Sequence, residues 1–169
     1  SIGGLLTDSA IMLVGNETAE ARLVDTTPYT PVPPPPVNST QDPIKYDSGI
    51  AVGRTWSDLE ADMHITVLSR NETVPPSLDV VYNRGPFPGN QAPTLAAITP
   101  SATTIAVGGS ITFNASAATD ANGDTLAYHW DFDDGVSAPN SAVITRTFSS
   151  AAQITAMVTV SDMKGGTVR

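Results

Sequence analysis

The run Tyr128-His129-Trp130-Asp131-Phe132-Asp133-Asp134-Gly135 constrains the fold of this chain more than any other. Leu126, Tyr128, Trp130 and Phe132 fall on one side of a period-two pattern, and Ala127, His129, Asp131 and Asp133 fall on the other. A period of two is that of an extended strand whose side chains alternate between faces. The aromatic face requires a core, and the polar face is predicted to meet solvent. The strand then breaks into an acidic turn that ends in glycine. Such a strand suits the centre of a β-sandwich, with its carboxylates predicted to accept backbone N–H bonds in the turn.

The rest of the chain agrees with an all-β class. Helical periodicity is almost absent, and short stretches rich in Val, Ile and Thr alternate with Gly, Pro, Asn and Asp clusters. The segment Gly85-Pro86-Phe87-Pro88-Gly89-Asn90-Gln91-Ala92-Pro93 cannot continue a central strand and divides the chain into two modules, 1–89 and 90–169. In the first, strands are predicted near 11–14, 21–25, 50–54, 64–68 and 78–82. The proline run at 31–37 is predicted to form an extended surface loop, either a stiff connection or a docking motif. In the second, strands are predicted near 103–107, 110–115, 125–132, 142–148 and 153–160. Gly108-Gly109 is predicted as a hairpin link between the first two. Thr167-Val168-Arg169 begins a further strand, so the chain reads as the middle of a longer polypeptide with an incomplete sheet edge.

Charge and composition exclude several functions. Eight basic residues face seventeen acidic ones, a formal net charge of -9. Such a chain repels phosphate backbones and anionic membrane surfaces, so no nucleic-acid partner is expected. No stretch approaches the roughly 20 apolar residues of a membrane-spanning helix, so no membrane insertion is expected. Cysteine is absent, which excludes disulfides, thiolate metal sites and cysteine nucleophiles.

Asn90-Gln91-Ala92-Pro93, Asp120-Ala121-Asn122-Gly123-Asp124, the Tyr128–Gly135 run and Val158-Thr159-Val160-Ser161-Asp162 with Gly165-Gly166 follow one another in an order that resembles a PKD domain. The resemblance implies an immunoglobulin-like extracellular module over residues 90–169. One departure is Asp133, where the family has glycine, which reaches positive φ more freely. The stretches Ala21–Pro28, Ile50–Asp58 and Asp62–Leu68 resemble, less specifically, the β-rich region after the catalytic domain of secreted bacterial zinc metalloproteases of the gametolysin or immune-inhibitor kind. That resemblance implies a protease upstream of Ser1.

No catalytic constellation is present. A zinc protease needs two histidines one helical turn apart with a glutamate base, and this chain has only His64 and His129. No Gly-x-Ser-x-Gly elbow occurs. Asp131, Asp133 and Asp134 could suggest paired catalytic carboxylates, but the end of a strand in a small sandwich offers no cleft. Asp120, Asn122 and Asp124 alternate across a Gly-containing turn, a spacing at which oxygen ligands can converge on calcium. No EF-hand glutamate follows. Calcium-binding PKD domains resemble the chain here, with the ion near the linker, and Asn90 would then add a ligand. The alternative is an Asx-rich turn whose side chains cap their own backbone. Asp58, Glu60 and Asp62 form a second acidic alternation, read as a plain acidic loop. Asn16, Asn38, Asn71 and Asn114 lie in Asn-x-Ser/Thr sequons.

The expected chain is therefore two tandem β-sandwich modules from a secreted or cell-surface protein. It is expected to be non-catalytic, acting as spacer and as a binding or adhesion module for an extracellular protein, a polysaccharide or a neighbouring domain, with calcium as its one cofactor. The alternative is a structural repeat of a surface layer, stalk or filament. Trp56, Tyr82 and the outer face of the Tyr128 strand are the contact candidates.

Overall fold

A computed structural model describes residues 9–11, 13–14, 22–23, 49–72 and 74–169. The proline run at 31–37 and the sequons at Asn16 and Asn38 lie outside them. Among the described residues every regular element is a strand.

In the first module β1 (Ser9–Ile11) pairs with β4 (Gly49–Ala51), and β2 (Leu13–Val14) pairs with β3 (Arg22–Leu23). An antiparallel meander follows, formed by β5 (Thr55–Asp58), β6 (Met63–Asn71) and β7 (Ser77–Arg84). Asp58 begins the β5–β6 turn by accepting backbone N–H bonds from Glu60 (3.0 Å) and Ala61 (3.1 Å). Asp62 closes the turn at φ 48°, and its carbonyl accepts from Gly85 N at 2.9 Å. The acidic alternation at 58–62 is thus a turn that caps itself. The register sets Thr55 opposite Thr66 and Ser57 opposite His64, with Val81 and Asn83 beyond them on β7. These residues share one face, and Trp56, Ile65 and Tyr82 share the other. His64 and Thr66 are buried, although polar, because the first face lies against the second module. Tyr82 is 53% exposed.

The second module is an immunoglobulin-like sandwich of two three-stranded antiparallel sheets. One contains β8 (Thr99–Pro100), β9 (Ser110–Asn114) and β11 (Val143–Thr147). The other contains β10 (Ala127–Phe132), β12 (Ala156–Ser161) and β13 (Thr167–Val168). Phe113, Ala115, Trp130, Phe132, Ile144, Val158 and Val160 fill the space between them. Phe113 meets Trp130 and Phe132 at ring-centroid distances of 6.0 and 5.5 Å, within the range of favourable aromatic pairs. The indole N–H of Trp130 donates to the Ser141 carbonyl at 2.8 Å, so the ring is buried with its one donor satisfied.

Leu126, Tyr128, Trp130 and Phe132 all pack on this core, as the alternation requires. The opposite face of β10 does not meet solvent as expected. Ala127 is fully buried there, and a Cβ added to Gly53 of the first module would lie 1.9 Å from the Tyr128 carbonyl oxygen. Only a glycine lets the two backbones approach so closely, and at φ 81° only glycine adopts the turn without strain. The outer face of the Tyr128 strand is therefore largely a surface between modules rather than a contact surface for a ligand.

The strand expected at 103–107 is also missing. Gly108 and Gly109 form no hairpin. Gly108 N donates to the Phe148 carbonyl (2.7 Å), and Phe148 N donates to that of Gly109 (3.0 Å), pinning the loop to the end of β11. Residues 103–107 have the composition of a strand, but no neighbouring strand among the described residues supplies a ladder.

Candidate functional site

The linker between the modules is held by the turn at 120–124. Asn122 clamps it from both ends of one side chain: its Oδ1 accepts from Gln91 N at 2.8 Å, and its Nδ2 donates to the Gly89 carbonyl at 3.2 Å. Asp120 shapes the turn beneath, its Oδ1 accepting from Asn122 N (2.8 Å) and Asp124 N (3.1 Å). Gly123 takes φ 75° where the chain reverses.

A second anchor is Asp162, which is fully buried. Its Oδ1 accepts from the backbone N–H groups of Lys164 (2.7 Å) and Gly166 (2.9 Å), and its Oδ2 accepts from Asn90 Nδ2 at 2.7 Å. A carboxylate buried this deeply is tolerable because each oxygen is paired. Sequence reasoning missed Asp162 as a functional residue. A signal was present, since Ala156, Val158, Val160 and Asp162 continue one inward face, and an aspartate there must have partners.

Lys164 extends from the same turn, forms an ion pair with Asp124 and lies over the Phe87 ring, with Nζ 5.5 Å from the centroid. Asp120 Oδ2 and Asp124 Oδ2 are shielded from solvent and have no hydrogen-bond partner. Two such oxygens on neighbouring carboxylates fit a hard cation that takes oxygen ligands. Of the four residues expected to hold calcium, Asp120 and Asp124 have an oxygen to spare. Asn122 is committed to the linker, and Asn90 donates its amide to Asp162. Among the described residues no cluster of three or more His, Cys, Asp or Glu side chains could hold a metal ion.

Around these anchors the turn at 161–167 is wedged against the first module. The Thr55 hydroxyl is 2.7 Å from both the Thr66 and the Ser161 hydroxyls, a short polar relay across the junction. Asn83 Nδ2 donates to the Met163 carbonyl at 2.9 Å. The His64 ring bonds the Ser57 hydroxyl through Nδ1 (2.8 Å), tilts against Phe87 with centroids 5.7 Å apart, and faces Gly165, whose added Cβ would lie 2.9 Å from it. His129 Nδ1 bonds the Val52 carbonyl at 3.0 Å. Burial holds the His129 pKa below the ordinary imidazole value; Arg54 and Arg169 push the same way, against the Val52 hydrogen bond and Asp131. Both histidines are thus parts of the junction.

The three acids after β10 are not gathered as a catalytic set. Asp131 pairs with Arg169 at 3.5 Å, and Asp134 pairs with Arg146. Asp133 contributes its backbone N–H to the Thr155 carbonyl at 3.3 Å. Of the three side chains only that of Asp134 accepts in the turn, from Val136 N at 3.2 Å. The Arg146 hydrogen bond holds the Asp134 carboxyl below the usual carboxylate range.

Residues 90–169 match the PKD domain. PKD domains are non-catalytic modules of extracellular and surface proteins, in keeping with a sandwich whose carboxylates serve turns and ion pairs. The match begins at Asn90, the residue that Asp162 anchors, and leaves residues 1–89 outside it. No curated protein and no solved structure matches the chain. Among the described residues no helix is long and apolar enough to cross a membrane.

Proposed function

We propose that this chain is a non-catalytic accessory region of a secreted or cell-surface multidomain protein, in which the PKD domain and the preceding sheet act as one stiff spacer and binding module. The observation that carries this reading is the clamped linker: Asn122 and Asp162 grip it from two turns of the PKD domain, and Thr55, His64 and Asn83 hold the same region from the other side. A spacer of fixed geometry presents neighbouring domains, or a protein or polysaccharide ligand, at a set distance. The resemblance in residues 21–68 favours a zinc metalloprotease as the parent, and the full reading frame tests that by whether a His-Glu-x-x-His motif precedes Ser1.

Calcium at the linker is part of this proposal. Asp120 and Asp124 supply the two spare carboxylate oxygens, Asn90 stands at the linker side, and Asn122 orients the loop. The bound ion would neutralise the acidic turn and stiffen the junction. Thermal unfolding with and without millimolar calcium tests it. A rise in Tm that Asp120→Asn removes is the expected result, and an unchanged Tm rules the ion out.

The alternative reading is a repeated module of a surface layer, stalk or filament. Size-exclusion chromatography separates the two, since a clean monomer at high concentration argues against a self-assembling repeat.

A further inference from the structure

The three-stranded sheet of the first module buries one face against the second module and leaves the other partly open. Trp56 on β5 and Tyr82 on β7 both stand opposite Ile65 of β6. Residues paired across antiparallel strands share a face, so the three form one row, an aliphatic side chain between two aromatic ones. Two strand spacings separate the outer members, about 9.5 Å. Tyr82 is 53% exposed, and Val80, next to it on the same face of β7, is 46% exposed. Trp56 and Ile65 are half-buried. Exposed apolar side chains gathered in one patch, rather than scattered singly, mark an interaction surface.

The neighbouring row repeats the arrangement with polar ends. Asp58 and Arg84 flank Met63, about 7 Å along the strands from the aromatic row. Asp58 spends Oδ1 on its turn, accepting from Glu60 N and Ala61 N, and its Oδ2 is left to accept. Arg84 is exposed, and its guanidinium has no partner among the described residues.

The aromatic row is uncharged, and the two charges beside it have opposite signs. In a chain of net charge -9 this patch is locally neutral. It suits a neutral ligand, whereas a second copy of the chain or an anionic lipid surface is repelled by the rest of the molecule. The patch is also the face of a sheet, and the backbone of β6 is engaged by β5 and β7 on either side. It therefore presents ring faces and two polar side chains rather than main-chain hydrogen bonds. A pyranose sugar has the matching chemistry. Its axial C–H groups form an apolar face that stacks on an aromatic ring, and its equatorial hydroxyls bond a carboxylate and a guanidinium.

We propose that Trp56 and Tyr82 bind a neutral β-1,4-linked glucan lying across this sheet, with Asp58 accepting from its hydroxyls and Arg84 donating to them. In such a polymer every second ring presents the same face. Two aromatic platforms two strands apart take alternate rings, and Ile65 lies beneath the ring between them. The proposal rests on the reading of this chain as a binding module and names the ligand class of that module.

The test is a titration of the isotopically labelled chain with cellohexaose, followed by amide and indole NMR. Maltohexaose, whose α-linkages curl it away from a flat platform, is titrated in parallel. The expected result is saturable shifts at Trp56, Ile65 and Tyr82 with cellohexaose and none with maltohexaose. Tyr82→Ala, at an exposed position, should weaken binding at least about tenfold without unfolding the sheet. Tyr82→Phe keeps the ring and should bind like the parent chain. Three results overturn the proposal: no saturation up to millimolar cellohexaose, saturation indifferent to Tyr82→Ala, or the same shifts produced without sugar by phosphatidylcholine vesicles or by raising the protein concentration. The last would give the patch to a neutral membrane or to a second copy. Amide relaxation in the same samples reports separately on the spacer. Different tumbling times for the two modules would overturn the stiff-spacer reading, whereas a lack of saturation overturns only the glucan site.

Discussion

At the scale of single residues, the linker is gripped by Asn122 and Asp162, each bonded through both polar atoms of its side-chain end. Asp162 is the clearest case: one carboxylate, out of solvent, accepts two backbone N–H groups from its own turn and one amide from the linker. Replacing it by alanine leaves three partly buried donors without an acceptor. Hydrogen bonds to charged groups contribute about 1.5–3 kcal/mol, and unsatisfied donors add to the loss. Asp162→Ala is therefore expected to cost about 3 kcal/mol, read as a lower midpoint in urea with little change in slope. Asp162→Asn keeps the Oδ1 acceptor and should cost about half as much. Equal losses for the two would show that the charge, rather than the hydrogen-bond geometry, matters most. Asn122 also spans the linker, yet it is exposed, and water can replace its partners at smaller cost.

At the scale of elements, the Tyr128–Gly135 strand and its turn show how an aromatic core is sealed at one end. Arg146 on β11 lays its guanidinium over the Phe132 ring at 4.4 Å and the Phe148 ring at 4.8 Å, while pairing with Asp134 beyond the strand. Asp134 is partly exposed, so the ion pair itself contributes little. The stacking of a planar cation between two rings contributes more, and lysine cannot reproduce it. Arg146→Lys is expected to destabilise the domain by about 1 kcal/mol in chemical denaturation. Asp134→Asn should change stability by less than that; the reverse order would assign the stabilisation to the salt bridge. The sandwich was legible in the sequence because Leu126, Tyr128, Trp130 and Phe132 alternate so regularly that only one face can be inside. The 103–107 segment was misread for a physical reason: composition reports that residues tolerate a strand, but a strand also needs a partner backbone. Asp120, Asn122 and Asp124 were legible as a turn, and the backbone caps foreseen as one reading of them are present. Asp120 caps its own backbone through one oxygen and keeps the other spare. The cover over His129 could not be read from period-two alternation, because it comes from Val52 and Gly53, more than seventy residues earlier.

At the scale of the whole molecule, that cover makes the union of the two modules sensitive to acid. His129 sits between β10 and the Val52–Gly53 turn, with its Nδ1 proton donated to the Val52 carbonyl. The charged groups around it are Arg54, Arg169 and Asp131, two cations against one carboxylate. Burial, with the two arginines, lowers its folded pKa below the ordinary value of about 6.5. The sign follows directly. Above the ordinary value the imidazole is neutral in both folded and unfolded chains, and the full stability is present. As pH falls below about 6.5 the unfolded chain takes up a proton that the folded chain refuses, so stability declines until the folded pKa is reached and then levels off for this group. His129→Asn places an amide donor near the position of Nδ1 and removes the titration. The variant should match the parent chain in stability at pH 8 and lose less between pH 6.5 and pH 5. Amide exchange at Gly53 and Tyr128 should accelerate over the same interval in the parent chain and not in the variant. Identical pH profiles for the two proteins would assign the acid sensitivity to other groups, with the carboxylates of the junction the first to examine.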